Sequence, residues 1–172
     1  MALSVLALVV SSAAWSPAAQ AHTGGHRSAV LCQGPSDSTY DPPLTLEARG
    51  TRVHTDAQYS CSVAPGRIVS ATGSLDGVSP EASCDGQSSP RITEVVKYAD
   101  GAESLLVYDH GTTTRTLGFL DVMLSGRVVK GRGEGQSARR DVLLAAPKQL
   151  PTDCFSSGVR GNSGQAQLEI QP

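Results

Sequence analysis

The side chains in this sequence best suited to acid–base or metal chemistry near neutral pH are four histidines, His22, His26, His54 and His110. A histidine at a processed N-terminus can chelate copper through its amine and its ring, and His22 would hold that place if the segment before it were removed. His26, His54 or His110 would have to complete the site, and no spacing sets one of them beside His22. Serine, histidine and aspartate are all present, yet no serine stands in a Gly-x-Ser-x-Gly elbow, so no nucleophile is marked. Gly131-Arg132-Gly133-Glu134-Gly135 has the glycine density of a phosphate cradle. Such a cradle needs a helix N-terminus behind it, and here none follows, so the glycines read as a bend or bulge in a strand.

Five basic residues, Arg127, Lys130, Arg132, Arg139 and Arg140, fall on two successive expected strands. The plain reading is a solvated strand face; the sharper one is a patch for an anionic wall polymer. The cysteines, Cys32, Cys61, Cys84 and Cys154, are even in number, which in an exported chain means two disulfides. Three pairings are formally possible. The favoured one joins Cys61 to Cys84, closing a short loop, and Cys32 to Cys154, tying the N-terminal segment to the start of the last strand. Closely spaced Cys or Cys/His pairs, which a metal site needs, do not occur. No catalytic, cofactor-binding or metal-binding residue is therefore expected, and the chain reads as a non-enzyme.

The elements that must position these residues begin after residue 21. Met1 to Ala21 is apolar and uncharged and ends Ala19-Gln20-Ala21, the pattern of a signal peptide. No Lys or Arg precedes its apolar run, which points to a start upstream of Met1. Residues 22–31 read as a mobile leader and 32–172 as a single domain. About 150 residues then remain, enough to bury roughly 68–70% of the unfolded surface. The formal charge of −2 lacks the basic excess of a nucleic-acid binder, and no second run is long enough to span a bilayer.

Within the domain the periodicity is that of strands. Val53, Thr55, Ala57, Tyr59 and Cys61 share one face, while Arg52, His54, Asp56, Gln58 and Ser60 share the other. Ala64-Pro65-Gly66-Arg67 is a type II turn, and Ile68 to Leu75 the next strand. Arg91 to Tyr108 is a hairpin about Asp100-Gly101, expected as a two-residue type I′ turn. A meander follows, with bends at His110-Gly111 and Ser125-Gly126, and Ala166 to Ile170 closes the chain. Gly34–Pro43 reads as a loop and Gly77–Pro90 as a long polar connection. With 18 Gly and 10 Pro no helical pattern survives, and about nine strands imply an antiparallel β-barrel or β-sandwich. The meander favours the barrel, its terminal strands sealing the edge. Tyr59-Ser60-Cys61 has the look of an immunoglobulin corner, but the mature chain lacks the core tryptophan that goes with it.

Cys32-Gln33-Gly34, Thr39 to Thr45, Tyr59-Ser60-Cys61, Ser83-Cys84, Tyr98 to Gly101 with Ser104, Ser125-Gly126 to Gly131, and Cys154 with Gly158-Val159 together resemble a group of small secreted actinobacterial proteins of unassigned function. The resemblance implies an all-β fold with two disulfides, supports the favoured pairing and carries no catalytic residue. A looser similarity, to two-disulfide subtilisin inhibitors, rests on a Pro- and Gly-bearing loop between Cys61 and Cys84. The expected protein is a secreted, extracellular, monomeric binding module for an extracellular protein or cell-wall polymer. Protease inhibition and copper binding through His22 are the alternatives.

Overall fold

The computed structural model describes residues 29–88, 91–116, 119–144 and 151–172. The expected signal peptide, His22 and His26 lie outside the described residues. The elements are β1 (Val30–Leu44), β2 (Arg49–Ala64), β3 (Arg67–Ser83), β4 (Gly86–Ser88), β5 (Arg91–Tyr98), β6 (Glu103–Thr116), β7 (Phe119–Gly131), β8 (Ser137–Leu144) and β9 (Val159–Gln171), with a 3-10 turn at Pro151–Phe155 before β9. β1 starts at Val30, so Val30 and Leu31, expected in the leader, belong to the sheet.

All neighbours are antiparallel, in the order β2-β1-β9-β8-β7-β6-β5-β3-β4, and β2 also pairs with β3. That last pairing closes eight strands into an up-and-down barrel, the expected barrel rather than the sandwich. β9 seals the circle against β1 along Val30↔Ile170 to Thr39↔Gly161. Among the described residues each barrel strand has a neighbour on both sides, the protection that closure gives an all-β chain. β4 pairs with β3 at Ala82↔Gln87, beyond Val78↔Arg91 where β5 leaves that strand.

Alternation decides which side chains fill the barrel. On β2 the inward set is Val53, Thr55, Ala57, Tyr59 and Cys61, and His54 stands outside, as the pattern predicts. The exterior of β2 carries Arg52, His54, Asp56, Gln58 and Ser60, the polar side of the alternation. Among the described residues no helix is long and apolar enough to cross a membrane.

Several boundaries differ from expectation. Gly34–Pro43 is not a loop but the body of β1. Its Pro42 and Pro43 fall in the gap where pairing to β9 jumps from Thr39 to Leu44, so the missing N–H groups cost no ladder bond. Neither His110-Gly111 nor Ser125-Gly126 ends a strand: β6 and β7 continue through them, with a bulge at Asp109 where the register shifts. Gly126 is needed because a Cβ there would sit 1.9 Å from the Val107 carbonyl oxygen. Gly77–Pro90 is largely strand, the end of β3 followed by β4. The hairpin turn is one residue longer than expected: Gly101 N–H bonds Tyr98 O at 3.0 Å, and Gly101 follows that turn with φ 84°. This is the pattern of a type I turn with a glycine bulge.

The cystines pair otherwise than expected. Cys32 bonds Cys61, and Cys84 bonds Cys154. Cys32 and Cys61 are register partners on β1 and β2, both pointing inward. Cys61 lies across from Val69, whereas Cys84 is fifteen residues further on, just past the end of β3, roughly 50 Å away at strand rise, so no bridge between Cys61 and Cys84 can form.

The two ends of the barrel differ. One end is sealed by short turns at Ala64–Arg67, Tyr98–Gly101 and Gly131–Gln136, with the Gln136 side chain buried inside. Gly131-Arg132-Gly133-Glu134-Gly135 forms the last of these, its three glycines at φ 89°, 82° and 79°. Thus the glycines mark a turn between β7 and β8, not a bulge within a strand. Arg132 from this turn bonds Asp100 at 2.7 Å and stacks on Tyr98, its guanidinium carbon 4.3 Å from the ring centre. The other end carries the β1–β2 connection, β4, the 3-10 turn before β9 and the Cys84–Cys154 bridge.

Candidate functional site

Two inward-facing charges cross the waist of the barrel. Glu94 on β5 is fully buried, and Arg140 on β8 is 3% exposed. Tyr59 donates to Glu94 Oε1 at 2.9 Å and Tyr108 donates to Glu94 Oε2 at 2.6 Å. Arg140 Nε donates to the Tyr59 hydroxyl at 3.0 Å, Nη2 donates to Ser36 Oγ at 2.9 Å, and the guanidinium lies 3.6 Å from Glu94 Oε2. Tyr59 therefore donates to the acid and accepts from the base, linking the pair.

Burial pushes the Tyr59 and Tyr108 hydroxyls upward, and the Glu94 charge adds to it, so both stay protonated donors. Burial opposes the charge on Arg140, but Glu94 and the two tyrosines outweigh it and raise the guanidinium overall. The result is a closed ion pair with partners on both sides. It is suited to fixing the barrel, and it exposes neither a free base nor a nucleophile.

Above the waist, toward the end that bears the Cys84–Cys154 bridge, lies a cavity of about 60 Å³. Its wall is mostly aliphatic, with Val53, Leu75, Ile92, Leu124 and Val142 around Thr113, and Arg140 forms part of its floor. The rim is tied together: Cys84 N–H bonds Thr45 O at 2.8 Å while its sulfur reaches Cys154. Beside that latch stand two exposed apolar side chains, Leu46 at 45% and Phe155 at 76%.

The residues singled out from the sequence do not converge. Arg140 is buried, Arg132 is held at the sealed end, and Arg139 pairs with Asp141 at 3.0 Å, so the five basic residues form no single patch. His54 on β2 and His110 on β6 are separated by β3 and β5. Among the described residues no group of three His, Cys, Asp or Glu is placed to hold a metal. The segment between Cys61 and Cys84, on which the inhibitor similarity rests, contains strand β3 in the barrel wall and not a bridged loop. Glu94 and Tyr108 carry no motif that marks them in the sequence. The available signal is parity: Glu94 falls between Ile92 and Val96, and Arg140 between Ala138 and Val142, each a charge on an inward position.

On the outer face His54 Nδ1 lies 2.7 Å from Asp76 Oδ1, and Nε2 lies 3.2 Å from Asp56 Oδ2. Both nitrogens face carboxylates, so neither is left to take a proton from a serine, and the imidazolium is favoured. The bond to Asp76 is the main reason the His54 pKa stands above the ordinary 6.5, against an opposing effect of burial. Because the folded value is raised, the stabilisation is complete below 6.5 and is lost as pH climbs through the folded value. Its size is small, since the ring is 42% exposed. An NMR titration should place the His54 midpoint above 6.5, and Asp76→Asn should return it toward that figure. A wild-type midpoint at or below 6.5 would contradict the arrangement.

A scan of protein-family models finds no match to this chain, and a search of curated proteins finds none. Fold and interior together define a small, disulfide-bonded, eight-stranded antiparallel barrel.

Proposed function

We propose that this chain is an exported, non-enzymatic binding module that engages an extracellular protein or a cell-wall polymer through the end of its barrel that the Cys84–Cys154 bridge ties. The observation that carries the reading is the asymmetry of the ends. One is plugged by tight turns, while the other combines an aliphatic cavity with a cross-linked rim bearing Leu46 and Phe155. Barrel mouths of this kind are common ligand sites. Two cystines and a polar exterior suit an oxidising, aqueous compartment. The waist residues, each satisfied by its neighbours, supply no activated group for turnover.

The test compares the intact protein with Leu46→Ser/Phe155→Ser at the rim and Lys130→Ala on β7, away from it. All three changes are at exposed positions and should leave the fold intact, which circular dichroism checks. Retention on purified wall material or on a partner isolated from culture medium should fall at least tenfold for the rim variant and stay unchanged for Lys130→Ala. Equal retention by both variants, or turnover on a hydrolase panel that one Ser or His substitution abolishes, would refute the reading.

A further inference from the structure

The cavity near the bridged end has a chemistry of its own, and its occupant is inferred on the basis of the binding role proposed above. Its 60 Å³ leaves room for about four waters, or for a ligand portion of about four non-hydrogen atoms. One wall atom lacks a partner: Thr113 Oγ1 is buried and makes no hydrogen bond among the described residues. A buried hydroxyl left unpaired is costly, so a polar atom delivered to it is favoured.

Charge narrows the class. Arg140 is the charged residue of the described wall, and it is already matched by Glu94 and hydrogen-bonded to Tyr59 and Ser36. An anion would have to compete with Glu94 and would leave one negative charge in excess inside the barrel; a cation would face the guanidinium directly. We infer that the cavity takes a short, uncharged, mainly aliphatic ligand, or such an end of a larger one, with a single polar atom bonded to Thr113 Oγ1.

Methyl spectra of the whole protein, titrated with 2-propanol and separately with acetate, test this with two probes of equal size and different charge. The alcohol should produce saturable shifts at the methyls of Leu124 and Val142 with a millimolar midpoint, and acetate should produce none. Thr113→Val should weaken alcohol binding about fivefold, the equivalent of one hydrogen bond, and Thr113→Ser should restore it. The assignment falls if acetate saturates at an equal or lower concentration, if neither probe gives saturable shifts, or if Thr113→Val binds as tightly as the parent. These shifts do not depend on retention by the rim, so the cavity assignment and the wider binding role can fail separately.

Discussion

Replacing Glu94 with leucine should destabilise the protein by about 3–5 kcal/mol, the cost of leaving a buried charge without its partner. Arg140 would remain 3% exposed with no carboxylate nearby, and the hydroxyls of Tyr59 and Tyr108 would lose the oxygens they donate to. Against a typical total of about 5–15 kcal/mol, such a loss removes a large part of the margin. Glu94→Gln keeps the shape and an acceptor oxygen but removes the charge, and should fall between the parent and Glu94→Leu. The informative variant is Glu94→Leu/Arg140→Leu. Removing both charges takes away the unpaired ion, so the double variant should recover most of the stability lost by Glu94→Leu alone. Urea unfolding of the set measures this directly. If Glu94→Leu shifts the midpoint no more than an ordinary surface substitution, the waist is not an ion pair that fixes the barrel. If the double variant is no more stable than the single, the loss comes from packing and not from the orphaned charge.

That pair also shows what can be read from a sequence of this kind. β2 is legible because its alternation is clean and its turn carries Pro65-Gly66, where Gly66 indeed takes φ 71°. The Arg91–Tyr108 hairpin is legible for the same reason, although its turn is a residue longer than its Asp-Gly pair implies. Glycine and proline mislead wherever their cause lies on another strand. Gly126 answers the Val107 carbonyl on β6, and Pro42-Pro43 sits in a break in the β9 ladder. Neither neighbour is visible until the strands are paired. The basic residues mislead similarly, since counting charges along β8 does not tell that Arg140 points inward while Arg139 points out. The parity of Ala138, Arg140 and Val142 holds that information, and the burial of a charge there is the clue to the waist.

The disulfides are illegible for a related reason: loop length favours pairing nearby cysteines, whereas barrel register places Cys32 opposite Cys61. Tryptic digestion separates the two possibilities, because each cysteine falls in its own peptide, 28–49, 53–67, 68–91 and 149–160. Under non-reducing conditions 28–49 should be found joined to 53–67, and 68–91 to 149–160. A link between 53–67 and 68–91 would contradict the register of β1 on β2. Energetically, bridges spanning 29 and 70 residues should contribute about 3.6 and 4.4 kcal/mol through the unfolded chain. Cys32→Ala/Cys61→Ala should cost somewhat more than the first figure, since both sulfurs are fully buried and their removal also leaves a void. Cys84→Ala/Cys154→Ala acts at the rim, where it releases the turn after β3 from the segment before β9. Its loss should therefore appear twice, as about 4 kcal/mol of stability and as weakened retention by the bridged end, while the Cys32→Ala/Cys61→Ala protein that still folds keeps its retention. Should the two variants lose retention equally at matched stability, the rim latch has no special part in binding.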